Sequence, residues 1–440
     1  MSESLQPAAR PTRVRWIIFT LAFSTSWFLY LHRYAWGVIK LDIKEEYGLT
    51  DTQLGLLDST FTFAYAFCQI PSGLLGDLFG PGVVLTTIIL LWSGLVAATP
   101  LATGFKSFVA VRLAFGVAQA GTYPNLGKVT RNWFPLSIRT TVQGMVASLA
   151  GRSGGACAAL VVGSLLMGVL GLDWKQTLLA IASVGIVFGV VFRVFFRNTP
   201  SEHPMANDAE AALIGTEDSG ALGKNVKIRF RDDRRAKLSF VFLNFHIFTS
   251  AFADVVFVYW IPMFLLEEKG LSKVEMGIFA SLPLFAGALG GMVGGILNDF
   301  LIRKTGKLRL ARGSVAFTGK VLAALFVCAS LAFDDGRWVM VVLAIGKFFT
   351  DWSQPTLWGT ITDISGRASG RIFGTVNMFG SFGNLAAGPT LGALKQHIGW
   401  GAVFSTIAAV FLVSGIVWLW IDPTQKLVDE VRVEDDAADA

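Results

Sequence analysis

Long apolar runs alternate with short polar connections along almost the whole chain. A helix needs roughly 20 apolar residues to cross the hydrocarbon core of a bilayer, and the runs are about that long. The pattern therefore predicts an all-α membrane protein with twelve transmembrane helices. The predicted spans are 14–39, 53–75, 83–103, 107–127, 141–168, 174–196, 237–265, 274–301, 312–333, 338–361, 370–394 and 400–420. The first run lacks the small-residue cleavage site of a signal peptide, so we interpret it as a span.

One long polar connection divides the spans into two groups of six. It is acidic in its first part and basic in its last part. Because basic residues are attracted to anionic lipids, we expect its basic end to lie near the inner-leaflet headgroups. We expect five segments: a cytoplasmic N-terminus (1–13), a first half (14–196), a cytoplasmic linker (197–236), a second half (237–421) and an acidic cytoplasmic tail (422–440). Their polar composition predicts that the N-terminus and the tail are disordered.

An internal repeat indicates that the two halves are pseudo-symmetric. Three residues of the first half recur in the second half at one constant offset: Gly55, Gly73 and Asp77 correspond to Gly277, Gly295 and Asp299. Two parallel repeats are related by an axis along the membrane normal, and such carriers bind their substrate at the interface of the halves near the midplane. We therefore expect the functional site between the halves.

The composition excludes a soluble globular protein. Only 15% of the residues are charged and 53% are hydrophobic, whereas soluble chains carry about 25% charged residues. The net charge of +6 could indicate a nucleic-acid partner, but most Lys and Arg residues fall in the loops that would lie inside. We therefore predict a multi-pass protein of the cell (inner) membrane, with both termini in the cytoplasm and no nucleic-acid partner.

The sequence lacks the motifs of enzymes and of metal sites. Cys68, Cys157 and Cys328 lie in separate apolar runs without metal-ligand spacing. There is no Walker loop and no Ser/His/Asp arrangement. We expect no metal, no cofactor, no disulfide and no enzymatic activity.

Three arginines inside predicted spans are the first candidates for function: Arg33, Arg112 and Arg152. A guanidinium at the centre of a span costs roughly 2.5–3.5 kcal/mol, so it needs a wet cavity or a buried partner. Around one cavity the three would bind a small anion, because Arg grips a carboxylate through two parallel hydrogen bonds. The alternatives are snorkelling to the headgroups for Arg33 and a buried ion pair for Arg112 and Arg152.

Four further residues could hydrogen-bond to the hydroxyl groups of a polar substrate: Tyr123, Trp260, Asn377 and Asn384. Ligand pockets use a few such convergent groups on an apolar wall. Tyr and Trp near span ends are also ordinary residues of the interfacial aromatic belt.

Charged residues in the second half each allow two interpretations. Lys347 and Asp351 lie four residues apart and would pair on one helix face, although a substrate or ion site is an alternative. Lys320 either reaches the inner interface or stays within the bundle. Asp254 falls on the repeat position that corresponds to His32, and it either functions inside the carrier or faces water at the outer mouth.

Several segments carry a family resemblance, in one order, through nearly the whole chain outside the linker and the tails. They are GLLGDLFGPG (73–82), RLAFGVAQAGTYPN (112–125), RNWFPLSIR (131–139), YWIPMFLLEEKGLS (259–272), GGILNDFLIRKTG (294–306) and the run 359–389. The chain resembles the major facilitator superfamily and, more narrowly, its anion:cation symporter branch, which includes sugar-acid and vesicular anion carriers. The resemblance implies two roles: Arg33 and Arg112 contact the substrate, and Asp77 helps to hold a gate shut, with Asp299 and Arg303 in the equivalent loop.

The chain departs from the branch at two positions. The branch usually has an acidic residue just before the first-span arginine, where this chain has His32, and a Glu in the fourth span, where it has Gln119. Glutamine does not titrate, whereas histidine titrates near neutral pH. The candidates for a coupling proton are then His32, Asp254 and Asp351.

These observations predict a monomeric secondary transporter that moves a small organic anion, a sugar acid or another carboxylate, by alternating access. Symport with a proton or another ion is the leading mode. A uniporter, an organophosphate exchanger and a non-transporting ligand sensor with a carrier fold are the alternatives.

Overall fold

The computed structural model describes residues 10–215, 226–365 and 369–432. Twelve helical spans run through these residues in two groups of six and confirm the predicted all-α membrane fold. Spans 1 to 6 are Val14–Tyr47, Asp51–Phe79, Pro81–Leu101, 105–133, 136–169 and Trp174–Phe195. Spans 7 to 12 are Arg234–Glu267, Lys273–Thr305, Leu308–Ser330, 336–365, Ser369–His397 and Trp400–Trp420. Eight of these helical stretches are long and apolar enough to cross a membrane, by length and composition alone.

Span 1 extends beyond its predicted boundary. It continues to Tyr47 and not only to residue 39, because Lys40 is fully buried and paired with Asp58 at 2.6 Å. A lysine whose charge is compensated inside the bundle does not end an apolar helix. As a consequence Arg33 lies near the middle of span 1.

The two ends of the bundle are capped differently. We call the end that carries the linker the linker end, and the opposite end the far end. Three spans that begin at the far end start with reciprocal capping boxes: Thr50 with Gln53, Asp173 with Gln176, and Ser272 with Glu275. The start of each of these three helices is therefore determined by residues close to it in sequence.

At the linker end, span 1 is capped by a residue distant in sequence. The linker contains a short helix, Asp208–Gly215, and the buried carboxylate of Glu210 accepts hydrogen bonds from the backbone N–H groups of Val14 (3.3 Å) and Arg15 (3.0 Å). Arg13, at the N-cap position, supplies no side-chain cap. Glu210 therefore satisfies donors that would otherwise be unpaired.

The tail is not disordered along its whole length. Residues Val226–Phe230 (β1) and Val428–Arg432 (β2) form an antiparallel two-stranded sheet, in which Val226 is opposite Arg432. The sequence VKIRF alternates apolar and basic residues, which is the period-two pattern of a strand. The prediction of a disordered tail from residue 422 is therefore wrong up to Arg432. Residues 1–9 and 433–440 lie outside the described part of the chain.

The two halves meet closely at the far end. A Cβ atom added to Gly55 of span 2 would lie 2.0 Å from the carbonyl oxygen of Gly388 in span 11, and one added to Gly277 of span 8 would lie 2.4 Å from the carbonyl oxygen of Ala159 in span 5. Only glycine allows helix backbones to approach this closely.

Four alternating charges surround this contact, and we call them the far-end charge ring. The Lys44 ammonium lies 2.9 Å from both Asp51 and Glu267. The Lys395 ammonium lies 2.8 Å from Asp51 and 2.6 Å from Glu267. Because Lys44 and Asp51 belong to the first half and Glu267 and Lys395 to the second, the ring joins the halves and holds the far end closed.

The far-end charge ring gives a testable prediction. Replacing both Lys44 and Lys395 with glutamine leaves Asp51 and Glu267 facing each other across the halves without a counter-charge. We expect the population open at the far end to increase about tenfold, since ion pairs of this kind contribute up to about 1 kcal/mol each and like charges repel. The measurement is pulsed electron paramagnetic resonance between spin labels at Glu45 and His397, in a cysteine-free background.

The control removes one lysine from an ion pair that lies within a single half. Lys175→Gln breaks the 2.6 Å pair with Glu46, and both residues belong to the first half. This variant should keep the wild-type distance distribution. An unchanged distribution in the double variant would contradict the role of the ring in closure.

Candidate functional site

Arg33 lies in an aromatic box inside the first half. Its guanidinium carbon is 5.0 Å from the ring centroids of Tyr30 and Phe61 and 4.5 Å from that of Tyr65. Its Nε donates to Oε1 of Gln119 at 2.9 Å, and its Nη2 has no hydrogen-bond partner. The residue is only 8% exposed. Snorkelling to the headgroups is therefore wrong for Arg33.

Arg112 enters the same box from span 4. Its guanidinium carbon lies 4.6 Å from the ring of Trp36 and 4.8 Å from the ring of Phe61, which it shares with Arg33. Its Nε donates to the carbonyl of Leu57 at 3.2 Å, and its Nη2 is also unpartnered. We call this box, built around Arg33 and Arg112, the arginine chamber.

The arginine chamber carries two positive charges that have no direct carboxylate partner among the described residues. In the part of the chain that the structure describes, neither guanidinium lies within ion-pair distance of a carboxylate, so the buried pair considered for Arg112 is absent. Cation–π contacts compensate such charges only partly, by about 0.5–2 kcal/mol each. A buried guanidinium with a free N–H group is a site that an anion would complete.

Tyrosine rings surround the chamber. Five of the six tyrosines of the chain take part in this cluster: Tyr30, Tyr34, Tyr65, Tyr123 and Tyr259. The ring of Tyr30 lies 5.5 Å from that of Tyr34 and 6.5 Å from that of Tyr123. Of these five, only Tyr123 was predicted from the sequence as a substrate contact. The i, i+4 spacing of Tyr30 and Tyr34 around Arg33 was the signal that could have identified two of the others.

Arg152 has a different environment from the other two arginines. Its Nη1 pairs with Oδ2 of Asp351, while the Lys347 ammonium lies 2.9 Å from Oδ1 of Asp351 and 2.9 Å from Oδ1 of Asp254. The structure thus contains the predicted Lys347–Asp351 pair and the buried-pair alternative for Arg152. We call Arg152, Lys347, Asp254 and Asp351 the boundary charge cluster, because Arg152 belongs to the first half and the others to the second.

Glycines and irregular helical turns position the boundary charge cluster. A Cβ atom added to Gly287 of span 8 would lie 2.2 Å from Oδ2 of Asp351, so glycine makes room for this carboxylate. π-helical segments lie on both sides of Arg152 in span 5, and another begins at Val256, just after Asp254 in span 7. Such segments are frequent at functional sites because they redirect side chains.

His32 belongs to neither group of charges, although it lines a small cavity together with Trp36 and Arg112. Its Nε2 forms a 3.0 Å hydrogen bond with the carbonyl oxygen of Ile181 in span 6, and its ring lies close to Gly185 of the same span. It is buried on the side of span 1 that faces span 6, whereas Arg33 faces spans 2 and 4. The structure therefore does not bring His32 and Asp254 together.

Four further residues considered from the sequence are not part of the chamber. Trp260 is fully buried at the closed far end, where its ring centroid is 3.8 Å from the ammonium of Lys40. On span 11, Asn377 is exposed and Asn384 is half-buried. Lys320 is fully buried and donates to Ser250 at 2.7 Å, so it does not reach the inner interface.

Comparison with known proteins places the chain in a family. The model of the Major Facilitator Superfamily matches residues 16–387. The chain belongs to the major facilitator superfamily. This membership confirms the prediction of a transporter rather than an enzyme.

Curated relatives narrow the similarity to carriers of organic anions. The chain is 30% identical to a probable sulfoacetate transporter of Cupriavidus necator, with 87% of both chains covered. It is 27% identical to a probable galactarate/D-glucarate transporter of Bacillus subtilis, with 87% of this chain and 86% of the relative covered. It is 26% identical to a D-galactonate transporter of Escherichia coli, with 94% and 96% covered. These relatives confirm the resemblance to the anion:cation symporter branch.

Solved structures of the superfamily share the fold at low identity. A bacterial homologue of the human lysosomal transporter Spinster, in an inward-facing and unoccupied conformation, has a TM-score of 0.68 at 16% identity, covering 93% of this chain and 95% of that one. The nucleoside transporter NupG has a TM-score of 0.63 at 14% identity, covering 91% and 98%. Both likenesses show the fold alone.

The structure describes the side chains of two of the three gate residues that the superfamily resemblance implies. The side chain of Asp77 lies outside the described residues. Asp299 and Arg303 are exposed at the linker end of span 8, where the Asp299 carboxylate accepts a hydrogen bond from Asn298 at 3.2 Å. In the same region Arg312 pairs with Asp363 at 2.6 Å. This ion pair was not predicted from the sequence.

A second charged pair was also missed. The ammonium of Lys40 lies 2.6 Å from Oδ2 of Asp58, and Nε1 of Trp36 donates to Oδ1 of the same carboxylate at 2.7 Å. Both charges are fully buried next to the chamber. A lone Asp within an apolar run was the available signal, since such residues are rarely lipid-facing.

Proposed function

We propose that the protein is a secondary transporter that carries a small organic anion across the membrane by alternating access, with an acid group of the substrate bound between Arg33 and Arg112. One observation carries the proposal. The two buried guanidinium groups share the Phe61 ring, have no carboxylate partner among the described residues, and each keep an unpartnered Nη2. A carboxylate or sulfonate supplies the oxygen atoms and the negative charge that these groups lack.

The surroundings of the chamber favour a hydroxylated or otherwise polar acid. The tyrosine cluster can donate and accept hydrogen bonds, and its rings form an apolar wall of the kind that lines small-molecule pockets. The relatives are named for sulfoacetate, galactarate, D-glucarate and D-galactonate, which are all short and strongly polar acids.

The far-end charge ring and the internal repeat support a cycle in which the two ends of the bundle open in turn. In the proposed orientation the linker end faces the cytoplasm, because most basic residues of the loops lie there. The far-end charge ring then closes the outer side, and the substrate exchanges with the cytoplasm. Opening of the ring and closure of the linker end would complete alternating access around the fixed chamber.

The test of this proposal is transport by the purified protein in proteoliposomes. We expect saturable uptake of at least one of sulfoacetate, D-glucarate and D-galactonate, and accumulation above equilibrium when an inward proton gradient is imposed. Neutral D-galactose should not enter, because it offers no charge to the two guanidinium groups.

Two results would contradict the proposal. Anions that raise the melting temperature of the protein but do not cross the membrane would support the ligand-sensor alternative. Uptake of D-galactose at the rate of the acids would show that the charge of the chamber does not select the substrate.

A further inference from the structure

The boundary charge cluster differs from an ordinary ion pair because it contains two cations and two carboxylates, and one of the cations contacts both carboxylates. Arg152 and Lys347 supply two positive charges, and Asp254 and Asp351 supply two negative ones. Lys347 contacts both carboxylates at 2.9 Å, while Arg152 contacts Asp351 only. Without Arg152, one lysine would be left to compensate two carboxylates, of which Asp351 is almost fully buried.

Arg152 is the cation of the cluster that an anionic substrate can reach. Its side chain is 26% exposed, against 8% for Lys347, while the two carboxylates are 24% (Asp254) and 4% (Asp351) exposed. It is also the only member from the first half, so its contact with Asp351 depends on how the halves are placed. The other three members are on spans 7 and 10, within one half.

The cluster lies close to the arginine chamber. The preceding residue, Gly151, packs against the Tyr30 ring, at 2.7 Å from a Cβ atom added to that glycine. The same ring is 5.0 Å from the guanidinium of Arg33. Tyr34, one helical turn further along span 1, has its ring 5.5 Å from that of Tyr30 and packs against Gly155, three residues after Arg152 in span 5. One layer of tyrosine rings therefore connects the two sites.

We propose that the boundary charge cluster is a second acid-group site coupled to a proton: the second acid group of a two-acid substrate replaces Asp351 on Arg152, and Asp351 takes up one proton. The proposal rests on the proposed function, since the first acid group occupies the arginine chamber. It defines the substrate as a short dianion, such as a dicarboxylate or a sulfocarboxylate.

The charges of this step balance. Before binding, Arg152 is paired with Asp351, and the substrate group carries one negative charge. After binding, Arg152 is paired with the substrate, and the new O–H bond of the Asp351 carboxylic acid takes its proton from bulk water. Lys347 remains paired with Asp254, so the cluster stays neutral. A buried cluster with a net charge would be unfavourable, which links anion binding to proton uptake.

The groups that face Asp351 are compatible with this exchange. Thr350 lies 3.4 Å from its Oδ1 and 3.3 Å from Oδ1 of Asp254, so a hydroxyl can exchange hydrogen bonds between them. Lys320 of span 9 interacts with Asp351 electrostatically from further away. On the side of span 8, the residue next to the Asp351 carboxylate is Gly287. A glycine has no ionisable side chain, so it does not affect the charge of Asp351.

The experiment measures proton uptake and substrate binding together. Sulfoacetate or D-glucarate is added to the purified carrier in weakly buffered detergent solution at pH 8, and the released or absorbed protons are followed. We expect about one proton to be taken up per bound dianion, and none for the monoanion D-galactonate.

Asp351→Asn tests the assigned residue. The variant should bind the dianion without proton uptake, and its half-saturating concentration should fall about tenfold at pH 8, because no carboxylate competes for Arg152. In proteoliposomes it should lose accumulation driven by a proton gradient. Asp232→Asn removes an exposed carboxylate near the start of span 7 and should behave like the wild-type protein.

Several outcomes would overturn the inference. The inference is wrong if the wild-type protein binds a dianion without proton uptake. This measurement does not need the Asp351→Asn variant, so it remains possible if that variant fails to fold. Proton uptake that persists in Asp351→Asn would assign the proton to another group. In both cases the proposed function would stand, whereas failure of all three anions to bind or to cross the membrane would overturn the proposed function as well.

Discussion

Replacing Arg112 with alanine is expected to reduce the rate of anion uptake about 100-fold, which corresponds to roughly 3 kcal/mol. The reason is that Arg112 supplies one of two uncompensated guanidinium groups in a buried chamber. Its loss removes both a charge and an unpartnered hydrogen-bond donor at the place where the acid group binds. The measurement is initial uptake of labelled sulfoacetate or D-glucarate in proteoliposomes, normalised to the amount of inserted protein.

Two further variants separate charge from geometry. Arg112→Lys keeps the positive charge but loses the planar fork, so we expect a loss of about tenfold, intermediate between the wild-type protein and the alanine variant. Arg309→Ala removes an exposed arginine at the linker end, far from the chamber, and should leave uptake nearly unchanged. Normal uptake by Arg112→Ala would exclude the arginine chamber as the binding site.

The fold was predictable because a bilayer imposes a simple length requirement on apolar runs. Twelve spans and two halves follow from the sequence, but several boundaries do not. Span 1 continues through Lys40 because Asp58, distant in sequence, compensates its charge. The sheet between Val226–Phe230 and Val428–Arg432 joins segments at opposite ends of the second half, and only the folded structure brings them together.

The sequence predicted which arginines belong to the candidate site, but it did not predict the ion-pair partner of each one. A guanidinium inside a span is costly wherever it lies, so Arg33, Arg112 and Arg152 stand out from the sequence alone. Whether each one has a carboxylate partner depends on contacts between helices. Arg152 pairs with Asp351 across the halves, while Arg33 and Arg112 have no such partner among the described residues.

Helix periodicity explains the remaining errors. His32 and Arg33 are neighbours in sequence, but successive residues on a helix point about 100° apart, so His32 faces span 6 and Arg33 faces the chamber. Trp260 lies in a matching motif, yet the closure of the far end buries it beside Lys40. The sequence does not reveal which end of the bundle is closed, and that state decides which polar residues share a cavity.

Replacing Gln119 with glutamate is expected to make substrate affinity strongly dependent on pH. In the structure, Oε1 of Gln119 accepts from Nε of Arg33 at 2.9 Å and its Nε2 donates to the carbonyl of Leu29 at 3.2 Å. An ionised glutamate would neutralise Arg33 and could not donate to Leu29. A protonated glutamate would restore both hydrogen bonds and leave the charge of Arg33 available to the substrate. The proton-bound form of the variant is therefore the one that binds the anion.

The half-saturating concentration of Gln119→Glu should exceed that of the wild-type protein about 30-fold at pH 8, equal to roughly 2 kcal/mol, and this excess should become smaller as the pH falls, because protonation of the glutamate frees Arg33. Uptake by both proteins across this pH range is the measurement, and their ratio removes any pH dependence that the wild-type protein has through other groups. Gln119→Leu, which removes the hydrogen bonds without adding a charge, should weaken binding by a factor that does not change with pH. Equal affinities for Gln119→Glu and the wild-type protein at pH 8 would mean that the charge of Arg33 does not hold the substrate.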